Sequence, residues 1–215
     1  MARKKYRNEA GEPLPGVTTA LGVMGKPPLK FWAFSQGQAY ERGEIDSLYE
    51  KRDEAADAGT LAHSFVETHL KGLPEPQVDD LDEAVLKKAE GCFLAYLDWE
   101  KSHQFQPIES ELSLVSEKHG YGGTLDIAAV MGANSIVDIK TSKDVYFSMK
   151  VQVAAYKELW NENYPDNPIK DCHILRLGED GGFSHHYYPN LDKEFECFLH
   201  CLAIWKILKE TGQKL

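Results

Sequence analysis

The stretch that most restricts this chain is Tyr121–Ser142, which reads YGGTLDIAAVMGANSIVDIKTS. Two runs rich in β-branched and aliphatic residues flank Gly132-Ala133-Asn134, a composition suited to a three-residue hairpin loop. Pairing symmetric about Ala133 sets Asp126 opposite Lys140, Ala128 opposite Asp138 and Val130 opposite Ile136. Strand side chains alternate faces, so Asp126, Asp138 and Lys140 leave the sheet on one side. The two aspartates become diagonal neighbours roughly 7–8 Å apart, close enough to share a cation. A slip of one residue would send Asp126 to the other face. On these residues alone two readings stand. Charges among apolar neighbours need compensation, and a hard divalent metal gives it to the acids while leaving Lys140 for chemistry. A solvent-facing strand with Lys140 paired to a carboxylate fits the same letters.

Composition bounds the class. With 215 residues, 42% hydrophobic and 11% aromatic, the chain has globular values and enough length for a real core. A single domain over 1–215 is the expectation, with 1–45 as an N-terminal flap. The net charge of −10 argues against nucleic-acid binding by bulk charge. It leaves room for an enzyme with a local basic track and a metal. Cys92, Cys172, Cys197 and Cys201 include no C-x-x-C, and buried, reduced thiols in a cytoplasmic protein are expected. No apolar run has the length of a membrane span. The start MARKKYR is basic without the apolar or serine-rich continuation of a targeting sequence.

In chain order, prolines 13, 15, 27 and 28 cut the first segment into short pieces, with a small helix at Val17–Leu21. Pro28 suits the first turn of a second helix carrying Phe31, Trp32 and Phe34. These aromatics can stack unpaired bases with Lys26 and Lys30 on phosphates, or pack as a flap on the core. A helix over Asp46–Lys71 ends at Gly72 and holds His63 and Glu67 on one face. By itself His63 is an ordinary hydrogen-bonded helix residue. Helical periodicity covers Leu81–Ser102, Phe147–Asn163 and Leu191–Glu210. Strands are expected at Pro107–Glu117, at the hairpin, at Asp171–Leu177 and at Gly182–Tyr188. His185 and His186 are adjacent strand residues, so they point apart and do not share a metal. This order gives an α+β fold with a central sheet covered by helices.

At this point GGTLD (122–126), VDIKTS (137–142) and QVAAY (152–156), preceded by the helical GTLAHSFVE (59–67), add up to a resemblance. The set is similar to the RecB-like branch of the PD-(D/E)XK nucleases. The opening GVTTALGVMGKPPLKFWA and the run EKHGYGGTLD resemble its phage-type exonucleases and the mitochondrial genome maintenance exonuclease. The resemblance implies a restriction-endonuclease-like core, a mixed sheet whose antiparallel hairpin is catalytic. It makes Asp126 and Asp138 metal-binding acids, Lys140 the catalytic lysine, and the Ile139 backbone carbonyl and His63 further metal ligands. Gln152 and Tyr156 match Q-x-x-x-Y, which lines the site. Thr141, Ser142, Lys26, Lys30 and Trp32 are carried as site-lining or DNA-binding positions, and Glu111 as the acidic position of the first strand. The central acid is Asp138 where many members have glutamate. The cysteines lack the spacing of the iron–sulfur relatives, so no cluster is expected.

The activity implied is metal-dependent exonuclease cleavage of single-stranded DNA or DNA ends, in phage replication, recombination or repair. It would use one or two Mg²⁺ or Mn²⁺ ions, leave 5′-phosphates, and work beside a replication or recombination protein. The alternatives are an inert nucleic-acid-binding module, a structure-specific endonuclease on the same fold, or a carboxylate-pair hydrolase such as a glycosidase. The last leaves Lys140, His63 and the Gln152/Tyr156 face without a role.

Overall fold

The computed structural model describes residues 6–25, 27–45, 47, 50–78 and 81–213, apart from the side chains of 27–31, 50 and 51. A two-stranded ribbon, β1 (Tyr6–Arg7) with β2 (Pro13–Leu14), comes first and was not foreseen from the sequence. α1 (Val17–Leu21) and a 3₁₀ turn at Gly22–Met24 follow, then α2 (Pro27–Glu41) and α3 (Glu50–Lys71). Asp46, the expected start of the third helix, lies outside the described residues. α4 (Glu83–Ser102) is capped by Asp82, whose side chain accepts the Ala84 N–H at 2.7 Å. The strands β3 (Gln106–Ser116), β4 (Tyr121–Val130) and β5 (Asn134–Lys140) then form a meander. α5 (Phe147–Asn163) crosses over to β6 (Asp171–Leu177), which pairs with β5 in parallel. β7 (Phe183–Tyr188) returns antiparallel, and α6 (Asp192–Glu210) closes the fold.

The five strands stand in the order β3-β4-β5-β6-β7, a mixed sheet with helices on both faces. This is the α+β architecture expected, with the antiparallel hairpin near its centre. One core lies between the sheet and α1, α5 and α6, around Tyr121, Leu125, Ile136, Trp160 and Phe198. The other lies under α3 and α4, around Phe65, Tyr96, Trp99, Ile127 and Leu175. β5 and β6 are buried on both faces, which is why they read as near-continuous apolar runs. The two glycines of GGTLD serve close packing. A side chain at Gly122 would strike the Tyr6 ring, and a Cβ at Gly123 would stand 2.8 Å from both Leu159 Cδ1 and Tyr156 Cε1.

The hairpin register differs from the expectation. Ile127 pairs with Val137, Ala128 with Ile136 and Val130 with Asn134, so the loop is Met131-Gly132-Ala133. Gly132 takes φ +83°, and Met131 N–H bonds the Ala133 carbonyl at 2.8 Å. The left-handed residue is the glycine, which centres the turn one position earlier than Ala133. Each partner therefore moves by two residues, an even number, and the faces are kept.

The second core ends in a chain of imidazoles. Trp99 Nε1–H donates to His185 Nδ1 at 3.3 Å, and His185 Nε2 lies 2.8 Å from His173 Nδ1. His173 Nε2 faces Asp171 Oδ1 at 3.3 Å, and His103 Nε2 sits 3.2 Å from His185 Nδ1. The indole donor assigns His185 its Nε2–H tautomer, and the proton then points to His173. His186 turns away to Ser184 Oγ at 3.1 Å. Burial first, then the neighbouring imidazoles of His173, His103 and His186, lower His185 from 6.5 to about 4.

Between those values the unfolded chain binds the proton that the folded chain refuses, so stability falls as pH drops from about 6.5 to about 4. His185→Phe is expected to flatten that acid limb. Urea midpoints at neutral and mildly acid pH check this, and an unchanged difference between them in the variant would count against it.

Candidate metal and catalytic site

β5 delivers Asp138 and Lys140 to the end of the sheet. Asp138 has no exposed surface, and Lys140 Nζ stands 2.5 Å from its Oδ2. Lys140 is thus the charged partner of Oδ2, while Asp138 Oδ1 has no hydrogen-bond donor among the described residues. Burial raises the Asp138 carboxyl, with Lys140 opposing and Asp126 adding to the rise. Burial works against the Lys140 charge too, but two carboxylates face this one ammonium and its pKa ends raised. The pairing of Lys140 with a carboxylate, one of the two readings of the hairpin, is present together with the acidic site.

β4 brings Asp126 opposite Asp138, where the hairpin pairing stops. There the Asp126 Oδ2 accepts the Ile139 N–H at 2.7 Å. The face alternation breaks at this point. Leu125 packs in the core under α5 and Ile127 in the core under α3, although residues two apart share a face in a regular strand. Across the ladder, Ser110 pairs with Ile127 and Leu112 with Leu125, placing Glu111 at the same break. Glu111 has φ +52°, the one positive value outside glycine among the described residues. A side chain there costs on the order of 1–3 kcal/mol and persists only where packing enforces it.

The break turns both acids toward α3. His63 Nδ1 lies 3.7 Å from Asp126 Oδ2. Burial first, then the Lys140 charge, lower His63, against the opposing pull of Asp138, Glu111 and the Ile139 backbone. A neutral imidazole is the form that can ligate. One ligand atom from each of His63, Glu111 and Asp126 lies within 4.8 Å of the others, the single such group among the described residues. A nitrogen and two carboxylate oxygens suit a divalent ion such as Mn²⁺ or Mg²⁺. Gly59 lets α3 approach: a Cβ there would stand 2.8 Å from Thr141 Oγ1.

These groups open into a cleft of about 540 Å³. His63, Glu111, Ile139, Lys140, Thr141 and Ser142 line it together with Thr60, Ser64 and Glu67, while Asp126 and Asp138 are not among its lining residues. Gln152 Nε2–H donates to Tyr156 Oη at 2.8 Å. Burial, followed by the charges of Asp138 and Asp126, holds the Tyr156 hydroxyl well above its ordinary pKa. It therefore keeps its proton beside the two acids. Among the described residues no part of α2 lines the cleft, and Trp32 sits half-buried on that helix. Lys26 and the Lys30 side chain lie outside the described residues. All four cysteines are free thiols. Among the described residues, no helix is long and apolar enough to cross a membrane.

Glu111 was expected to line the site; its place beside His63 and Asp126 was not readable, because it depends on the backbone break. Thr60 follows from His63 by helix geometry, three residues earlier on the same face, and Ser64 stands four residues after Thr60.

No family model matches the chain, and no curated protein matches it. Among solved structures, a candidate exonuclease of Eubacterium rectale covers 74% of this chain and 69% of its own, at 15% identity and a TM-score of 0.47. An alkaline exonuclease of Laribacter hongkongensis covers 74% and 90%, at 13% identity and a TM-score of 0.31. At these scores the likeness is too loose to carry function, and the functional reading rests on the site's own chemistry.

Proposed function

We propose that this chain is a divalent-metal-dependent deoxyribonuclease of the RecB-like PD-(D/E)XK type, acting as an exonuclease on single-stranded DNA or DNA ends. The observation that carries the reading is the meeting of His63, Glu111 and Asp126 within 4.8 Å, beside a cleft that His63, Glu111 and Lys140 line. His63, Asp126, Asp138, Glu111 and the Ile139 carbonyl are the groups that would hold the metal. The donorless Oδ1 of buried Asp138 and the mixed nitrogen–oxygen donor set support that assignment. The imidazole favours Mn²⁺ more than an all-oxygen site would. A bound ion would polarise the scissile phosphate and acidify a water.

The protein's own groups supply the rest. Lys140, kept protonated by two carboxylates, places a positive charge where negative charge grows on the phosphate oxygens. Asp138 fixes that ammonium. Tyr156, protonated and bonded by Gln152, offers a hydroxyl to the same region. Thr141 and Ser142 give the cleft rim hydroxyls for phosphate oxygens, and DNA replication, recombination or repair in a bacterial or phage-infected cytoplasm is the setting this chemistry suits.

End-labelled linear and closed circular DNA, single- and double-stranded, incubated with Mg²⁺, Mn²⁺ or EDTA, test the reading. Loss of linear substrate alone, stopped by EDTA and faster with Mn²⁺, is the expected result. Cutting of circles would make the chain an endonuclease on this site. No cutting with either metal would leave a binding module.

A further inference from the structure

The first residues of α5 carry a feature that the catalytic reading does not use. Tyr146 and Phe147 are 41% and 52% exposed, two adjacent large aromatics turned to solvent. They follow Ser142, which lines the cleft, by four and five residues. A fully extended chain of that length reaches at most about 14–18 Å, so the backbone that carries the rings lies within that distance of the cleft rim at Ser142. The segment between is held in place. Ser142 Oγ–H donates to the Asp144 carbonyl at 2.7 Å, and Val145 N–H donates to Asp144 Oδ1 at 2.8 Å. The Val145 side chain packs on the core beneath α5, and Tyr146 N–H meets Met149 Sδ at 3.4 Å. Anchoring Val145 inward presents the next two rings outward on a fixed base.

Charge favours nucleic acid as the occupant. The chain as a whole is −10 and cannot gather DNA by bulk attraction. Affinity must then come from local groups, and this rim offers exposed Lys143 together with Lys150, whose Nζ lies 5.1 Å over the Tyr188 ring, against the exposed carboxylate of Asp144. Rings flanked by lysines are the composition of a single-strand platform, because every unpaired base has a face to stack and a paired base does not.

We propose that Tyr146 and Phe147 stack the unpaired bases next to the scissile phosphate and so set a preference for single-stranded over duplex DNA. This rests on the nuclease reading. The test uses full-length protein and a fluorescein-labelled oligothymidylate. Anisotropy is followed in a Lys140→Ala background with Mg²⁺, and kcat and KM are measured with Lys140 intact. Tyr146→Ala with Phe147→Ala is expected to weaken binding and raise KM about tenfold on the single strand, with kcat held within about twofold. Duplex ends should respond little, and the salt dependence should keep its slope because no phosphate contact is lost.

The swaps Tyr146→Phe and Phe147→Tyr should restore affinity, while Phe147→Leu should not. Unchanged KM in the double variant, an equal loss on duplex, or rescue by leucine would overturn the platform, the last pointing to an apolar protein contact. If the unmodified protein cuts DNA and the double variant binds normally, the platform alone fails. If the unmodified protein neither binds nor cuts DNA, both readings fall.

Discussion

Lys140→Ala is expected to slow cleavage of saturating DNA by about 10²–10⁴-fold, the range for removing a positioned charge or proton donor from a transition state. Two effects enter that number and can be separated. The first is loss of the ammonium from the cleft. The second is structural: Asp138 is wholly buried, and its carboxylate would lose the charge 2.5 Å away. Breaking a buried pair from one side costs on the order of 3–5 kcal/mol. The Lys140 side chain is 16% exposed, so the lower end is expected. Lys140→Met combined with Asp138→Asn removes both charges and should recover most of that stability. Activity should stay lost. Urea midpoints and single-turnover rates on the three proteins decide the matter, and recovery of cleavage in the double variant would reduce Lys140 to a structural partner of Asp138.

The β4–β5 hairpin was legible because its information is periodic. Asp126, Asp138 and Lys140 fall on matching parity, and the turn was misplaced by a single position. That moved partners by two and kept the parity of the pairing, although the break at Asp126 turns that acid toward α3. Helices such as α5 were legible for a similar reason, since Val153, Tyr156 and Trp160 recur at three and four. What escaped depends on contacts between distant segments. No spacing announces that alternation breaks between Leu125 and Ile127, or that Glu111 adopts φ +52° across from Asp126. The break is imposed by two cores pulling neighbouring residues to opposite faces. The double glycine of GGTLD was visible as a pattern, but its reason lies in Tyr6 of β1 and in Tyr156 and Leu159 of α5, contributed by two other segments. The imidazole chain was hidden likewise. His103 comes from the end of α4, His173 from β6 and His185 from β7, and only the parallel placement of β6 beside β5 brings them under one helix.

That chain depends on Trp99, and Trp99→Ala is expected to cost about 3–5 kcal/mol, a large share of the 5–15 kcal/mol typical of a folded domain. The indole is fully buried, with ring centroids of His103 and Phe105 at 5.1 Å and Tyr96 at 5.8 Å. His185 meets it edge-on at 5.6 Å and accepts its N–H. Alanine leaves a cavity walled by aromatic rings too rigid to close over it. It also takes away the donor that fixes the His185 tautomer, so His103 becomes the group that must supply a proton to Nδ1. Trp99→Phe separates these losses. It keeps most of the packing and forfeits the hydrogen bond, for an expected cost of about 1–2 kcal/mol. Among the described residues α4 contributes nothing to the cleft, so kcat of either variant, measured well below its urea midpoint, should match the unmodified protein. A fall in kcat for Trp99→Phe at unchanged stability would show that the second core holds α3, and with it His63, in its working position.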